Sequence, residues 1–457
     1  MNDRVEQYFA ALRGRQVAVL GIGVSNRPLI RMLLGYGIPV TACDKTPREK
    51  LEPEVLELER MGAALHLGDG YLDGLEADVI FRTPGMRPDL PQLTRLTERG
   101  AVLTSEMEAF FEVCPCRIIA VTGSDGKTTT TTLIAKILEH AGKTVWLGGN
   151  IGTPLLPRAK EMRPEDFAVV ELSSFQLMTM TRSADVAVVT NLAPNHLDVH
   201  KSMEEYISAK KNVFLHQSAD GKLVVNMDNA ITDSFGAEAN GVVEKFSRLG
   251  VPENGVYLKD GVIFRNGKKI MDAADIQIPG VHNIENYMAA ACAVEGFASD
   301  SDIDAVARSF GGVEHRIELV RELDGVRYYN DSIASSPSRT IAGLRSFDRK
   351  VILIAGGYDK HVPFDVLGPE VCAHVKLLIL CGATADKIRA AVESAAEYAP
   401  GRPELVTVQS LGEAVSLARR QAVPGDIVTL SPACAAFDQF KNFMVRGEAY
   451  KKMVMAL

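Results

Sequence analysis

The chain has 457 residues, 46% hydrophobic and 24% charged, a balance that excludes disordered and fibrous chains. Single cores stop growing near ~250–300 residues and domains cluster near ~100–150, so three domains in series are expected. A net charge of −8 argues against nucleic acid as partner. The polar start MNDRVEQYFAALRGR lacks a secretory pattern and no apolar run approaches the ~20 residues of a bilayer span, so a cytoplasmic protein without membrane partner is expected.

In chain order, Gln16 to Leu20 reads as a strand, Pro28 to Leu34 as a helix, and Pro39 to Cys43 and Asp78 to Phe81 as further strands. Strands alternating with helices across glycine turns predict a parallel, doubly wound α/β sheet. The series restarts at Arg117 to Val121 and runs through Phe167 to Leu172 and Asp185 to Thr190. Asp260-Gly261 and Asn266-Gly267 within residues 256–269 predict an antiparallel hairpin annex. A third series takes in Val326 to Tyr329, Val351 to Ala355, Lys376 to Cys381, Leu405 to Val408 and Ile427 to Leu430. The expected domains are residues 1–113, 114–312 and 313–457. The seven cysteines are odd in number and scattered, apart from Cys114-Pro115-Cys116, which lacks the second pair of a zinc site; reduced thiols are expected.

The first turn, Gly21-Ile22-Gly23-Val24-Ser25-Asn26, begins like a dinucleotide fingerprint but lacks the third glycine, which argues against a nicotinamide enzyme. The stretch Thr122-Gly123-Ser124-Asp125-Gly126-Lys127-Thr128-Thr129 stands where a strand hands over to a helix. Backbone N–H groups and the positive helix end converge there, so it is expected to hold phosphate, with Lys127 on the β- and γ-phosphates and the Thr128 hydroxyl on Mg2+. It is shorter than the common phosphate loop, since Val121 stands five positions before Gly126 where glycine is usual. Glu171, His196 and Lys210 lie at or beyond strand ends, where open α/β sheets bind ligands; from the residues alone Lys210 is either a solvated lysine or part of the site, and His196 either structural or a ligand.

This loop, with Gly148 to Gly152, Glu171 to Gln176, Asn191 to Asp198 and Ser208 to Lys210 in that order, resembles the central domain of the Mur ligases, whose loop form folylpolyglutamate synthetase shares. The C-terminal Leu430 to Phe443 resembles the glutamate-adding members, and the likeness spans essentially the whole chain. It implies a Rossmann-like N-terminal domain, a central domain like a phosphate-loop ATPase and a Rossmann-like C-terminal domain. The implied activity joins UDP-N-acetylmuramoyl-L-alanine to glutamate through an acyl phosphate made with ATP. D-glutamate is the expected isomer; L-glutamate, or another amino-acid or folylpolyglutamate ligase, is the alternative. A monomer is expected, and the resemblance implies two Mg2+ sites, at Thr128, Glu171, His196 and Lys210, the last as a carbamate.

By the same resemblance Gly123 to Thr129, His282, Asn283, Asn286, Arg316 and Asp331 bind ATP. The UDP substrate is expected at Gly23, Val24, Ser25, Asp44, Lys45, Thr46, Thr83, Pro84, Gly85, Asn150 and His196. Ser335, Lys360, Phe437 and Phe443 are expected to line the amino-acid pocket. Two positions depart from the glutamate-adding pattern: Ile333 stands where a lysine is usual, and Ala436 where a serine is usual. A carboxylate loses about 1.5–3 kcal/mol for each charged hydrogen bond not made, so a substitute donor is expected among Ser335, Ser336, Ser338 and Arg339.

Overall fold

Twenty strands in three sheets organise the computed structural model, which describes residues 3–194, 199–360 and 362–457. The first sheet holds β1 (Val17–Leu20), β2 (Val40–Asp44), β3 (Ala64–Leu67), β4 (Val79–Arg82) and β5 (Val102–Thr104), in the order β3-β2-β1-β4-β5. All its pairings are parallel, as helical crossovers require. The order in which strands are added reverses between β1 and β4, so the residues after them face a shared crevice.

The second sheet has nine strands: β6 (Arg117–Thr122), β7 (Val145–Gly149), β8 (Phe167–Glu171), β9 (Val186–Val189), β10 (Lys222–Asn226), β11 (Val242–Ser247), β12 (Gly255–Lys259), β13 (Val262–Arg265) and β14 (Lys268–Asp272). Their order is β14-β13-β12-β11-β10-β9-β6-β8-β7, which places β6 between β8 and β9. β12 to β14 form the expected annex, pairing antiparallel through turns whose residues Asp260, Gly261, Asn266 and Gly267 all have positive φ. Such backbone favours Asn-Gly and Asp-Gly pairs.

The third sheet runs β15 (Glu318–Leu323), β16 (Val326–Asn330), β20 (Ile427–Leu430), β17 (Val351–Ala355), β18 (Val375–Leu380) and β19 (Glu404–Thr407). Its edge strand β15 is antiparallel to β16, whereas the remaining pairs are parallel. The ends of β16, β20 and β17 therefore open side by side.

The described residues form two compact units. One takes the chain up to Ala273 together with Glu285–Val306; the other takes Ala274–Ile284 and Ala307–Leu457. Within the first unit one apolar core runs continuously from the first sheet into the second, through Phe9, Val19, Phe110, Ile118, Leu156 and Val170. Each such buried side chain contributes roughly 1.5–3 kcal/mol. The helix Glu106–Val113 lies in this shared core, begun by the Ser105 hydroxyl accepting from Glu108 N. Burial pushes the Glu106 carboxyl up to about 7, partly offset by the amide of Leu156, which donates to it at 3.1 Å. The third sheet carries separate cores on its two faces.

Candidate active site

At the first sheet's crevice, Asp44 ends β2 and accepts from the amides of Ile22 at 2.8 Å and Thr46 at 2.9 Å. Burial raises its carboxyl, but these amides outweigh it and the net shift is downward, so the turn after β1 is pinned by an ionised aspartate. Gly21 has φ +83°, and a Cβ there would stand 2.8 Å from Thr83 Cγ2. The expected UDP residues Gly23, Val24, Ser25, Lys45 and Gly85 are exposed around this crevice, with Thr83 and Pro84 half-buried.

In the second sheet, four strand ends gather around the phosphate loop, because β6 lies between β8 and β9 with β7 beyond β8. Gly123 has φ +147°, and a Cβ would fall 1.9 Å from Thr190 Oγ1, a hydroxyl that itself donates to Asp125 O at 2.6 Å. Only glycine fits there. Gly126, at φ +77°, starts the helix Lys127–His140 without any side-chain cap, which leaves the first amides of the helix to a ligand. A Cβ on Gly126 would meet Asn286 Oδ1 at 2.4 Å, and Thr130 Oγ1 donates to that oxygen at 3.2 Å. The Lys127 ammonium folds back onto its own loop, donating to Gly123 O at 3.0 Å and Ser124 O at 2.8 Å.

Thr128 Oγ1 donates to Glu171 Oε2 at 2.7 Å, and Asn150 Nδ2 donates to Glu171 Oε1 at 2.8 Å. A hydroxyl and a buried carboxylate are hard oxygen donors, the set that Mg2+ takes. Lys210, on the helix Met203–Lys211, is only 1% exposed; its Nζ donates to Thr122 Oγ1 at 3.0 Å and Gly123 O at 2.9 Å. Burial first, then the Lys127 charge, hold its pKa well below the ordinary lysine value. A buried lysine on neutral oxygens is a reactive amine rather than a solvated surface group. His196 lies outside the described residues.

Tyr206, His200, Arg82 and Arg87, which the sequence did not single out, surround this centre. Ser124 Oγ shares a 2.9 Å hydrogen bond with Tyr206 OH, and the Tyr206 ring lies 4.9 Å from Lys210 Nζ. His200 is buried, stacks on Phe175 with centroids 5.2 Å apart and bonds to Ser174 Oγ at 2.9 Å. Arg82 and Arg87 reach this region from the first sheet. An arginine closing the apolar strand Val79-Ile80-Phe81 just before Thr83-Pro84-Gly85 was the one available signal.

The second unit holds the other expected residues. Arg316 is flanked by His315 and Ile317 at φ +63° and +44°, a conformation that non-glycine residues seldom adopt. It persists because His315 bonds to Asn330 Nδ2 at 3.0 Å and the Ile317 amide donates to Asp331 Oδ1 at 3.3 Å. Asp331 follows β16 and accepts from Ser431 Oγ at 2.7 Å after β20. Burial pushes its carboxyl up to about 7, despite Ser431 and the Arg316 charge. His282 and Asn283 also belong to this unit, where Asn283 Nδ2 donates to Pro279 O at 2.6 Å.

Ser332 Oγ donates to the carbonyl of Phe443 at 2.8 Å, and the Phe437 ring meets Tyr358 edge-on at 5.8 Å. Lys360 is exposed and Ser335 half-buried, and Ala436 is buried. Arg339 Nη1 donates to Ile333 O at 3.3 Å, which places a guanidinium beside the position that lacks the usual lysine.

Residues 121–294 match the Mur ligase middle domain and residues 315–434 match the Mur ligase, glutamate ligase domain. The UDP-N-acetylmuramoylalanine–D-glutamate ligase of Acetivibrio thermocellus is 53% identical over 465 residues, and one of that name from Clostridium botulinum is 50% identical over 458, each alignment covering both chains in full. Among solved structures, the UDP-N-acetylmuramate-alanine ligase of Thermotoga maritima superposes with a TM-score of 0.57 at 16% identity, covering 97% of this chain and 99% of that one. A UDP-N-acetylmuramoyl-L-alanyl-D-glutamate–2,6-diaminopimelate ligase gives 0.54 at 19%, covering 91% and 86%. These structural likenesses bear on the fold.

Proposed function

Because the chain belongs to the Mur ligase family, a group of ATP-dependent ligases that join acids to amino acids, we propose that it couples UDP-N-acetylmuramoyl-L-alanine to D-glutamate in peptidoglycan precursor synthesis. The observation that carries the reading is the meeting of Lys127, Thr128, Glu171 and Lys210 around one loop, in a chain half identical along its full length to ligases of that name. The domain division at 113/114 and 312/313 and a cytoplasmic location are part of it; among the described residues no helix is long and apolar enough to cross a membrane.

Amide formation from a carboxylate is uphill in water, so the carboxylate first acquires a leaving group. The terminal alanine carboxylate attacks the γ-phosphorus of ATP, ADP departs, and an acyl phosphate forms. The glutamate amine then adds to the acyl carbon, and the tetrahedral intermediate expels phosphate after losing a proton. The reaction depends chiefly on position and charge. Lys127 turns from Gly123 O and Ser124 O to the transferring phosphate, while Arg316 and Asp331 take the nucleotide. Thr128 and Glu171, and His196 at a second site, would hold Mg2+, which would supply the charge that lets carboxylate approach phosphate.

Lys210 enters this reading as a carbamate. Its neutral amine adds CO2 and releases a proton, giving an anion where an ammonium cannot serve a metal. Burial and wholly neutral hydrogen-bond acceptors support that role. Lys360, Ser335, Phe437 and Phe443 line the amino-acid pocket, and Arg339 is the substitute cation for the lysine absent at Ile333.

The deciding assay is phosphate release with UDP-N-acetylmuramoyl-L-alanine, ATP and Mg2+, run separately with D- and L-glutamate. Turnover dependent on D-glutamate is expected. Faster release with L-glutamate overturns the stereochemical assignment, and no release with either overturns the reading.

A further inference from the structure

Two arginines beside the Thr83-Pro84-Gly85 turn leave the first sheet and grip the second. Arg82, the last residue of β4, is 1% exposed. Its Nη1 donates to the carbonyls of Thr83 at 3.3 Å, Pro84 at 2.9 Å and Met86. Its Nη2 donates to Phe175 O at 3.0 Å and Thr179 Oγ1 at 3.3 Å. The guanidinium thus ties the turn to the helix Ser174–Leu177, which begins three residues after Glu171. All these acceptors are neutral, and burial lowers the guanidinium pKa against the opposing Glu108 charge. Burying a cation this way is costly, so a purely structural joint is better served by apolar residues.

Arg87 makes the second grip. It donates to Val199 O at 2.7 Å and to both oxygens of Glu205, at 2.8 and 3.1 Å. Glu205 in turn accepts from the Lys201 amide at 2.7 Å and stands 3.5 Å from His200 Nδ1. His200 closes the loop through Ser174 Oγ and the face of Phe175. One short segment from the end of β4 to Arg87 therefore holds both the stretch leaving Glu171 and the stretch that follows residues 195–198.

We propose that Arg82 and Arg87 are positioning residues that couple occupancy of the turn by a nucleoside-diphosphate-linked substrate to the ATP and Mg2+ centre. The inference rests on the functional reading above. A phosphate taken up at the turn changes what the Thr83 and Pro84 carbonyls offer Arg82, and the change passes to Phe175 and the end of β8. Coupling of this kind is reciprocal, so each ligand must tighten the other by one factor.

The test is titration calorimetry of a non-hydrolysable ATP analogue with Mg2+, with and without saturating UDP-N-acetylmuramoyl-L-alanine, and then in the reverse order. In the wild type the substrate should tighten the analogue by at least about fivefold, with the same factor in reverse. Arg82→Met with Arg87→Met should bring that factor to about one while each ligand alone binds within about twofold of wild type. Arg87→Met alone, at a partly exposed position, should reduce the factor without lowering Tm, and Arg82→Lys should give an intermediate value. A residue that only holds the fold would instead weaken both ligands together and leave the factor unchanged, which would overturn the inference. Wild-type binding of both ligands without coupling overturns it as well. If the wild type does not bind the UDP substrate at all, the functional reading falls, and this inference with it.

Discussion

Lys127 is half-buried and spends its ammonium on two carbonyls of its own loop, so removing it takes away charge without opening an apolar core. Lys127→Ala should keep the melting temperature and lose ~10²–10³ in turnover, measured as phosphate release at saturating ATP. Lys210→Ala should be nearly inactive and regain turnover with added short-chain carboxylic acids, which can fill the vacated anionic place; an absence of rescue would remove the carbamate. Burial pushes the Asp331 carboxyl up to about 7 in the folded chain, above its ordinary value in the unfolded one. The folded state therefore binds the extra proton, and this group's contribution to stability is lost as pH rises through about 7. Asp331→Asn carries no such penalty, so its Tm relative to wild type should climb between pH 5 and pH 8, even though ATP affinity falls. A constant Tm difference across that range would show that the buried carboxyl is already ionised. At this scale the phosphate loop and Glu171 were legible, because their chemistry is written in consecutive residues. The burial of Lys210 and the reach of Arg82 were not, since both depend on residues more than eighty positions away.

Strands and helices were legible where the buried run was long. Gln16 to Leu20, Val351 to Ala355 and Ile427 to Leu430 emerge as β1, β17 and β20, all fully buried. The strands overlooked include β3 and β5, which lie at sheet edges, are half exposed and have little apolar pattern to reveal them. β15 was overlooked for the same reason, and it adds an antiparallel edge that the helix-linked pattern does not announce. At the heart of the second sheet, β6, the loop and β9 act as one element, locked where Gly123 leaves no room before Thr190. Gly123→Ala should abolish binding of an ATP analogue by calorimetry and lower Tm by several degrees, as a strained backbone and a displaced hydroxyl together cost on the order of 1–3 kcal/mol. Retained nucleotide binding would mean that the loop can reform around a side chain.

Across the molecule all seven cysteines are buried and free. Burial pushes Cys43 up to about 12 and Cys381 and Cys434 to about 11, so these three are thiols at ordinary pH, whereas the Cys114 hydrogen bond lowers Cys116, which is shielded by its burial. A coloured disulfide reagent at pH 8 should titrate fewer than about one thiol per native chain at early times, and all seven after denaturation. Rapid reaction of several thiols before unfolding would show a looser interior than the packing describes. The succession of three sheets could be read from alternating strands and helices, but the merging of the first two over one core could not, because it depends on which apolar faces meet. That merging limits how the protein can be taken apart. Residues 1–113 expressed alone would leave Phe110 and Phe111 without the partners that cover them, and would take Phe175 from Arg82 and Glu205 from Arg87. The first sheet is therefore not a cassette that can be exchanged among ligases. A graft that changed what the enzyme accepts would have to carry the matching face of its host.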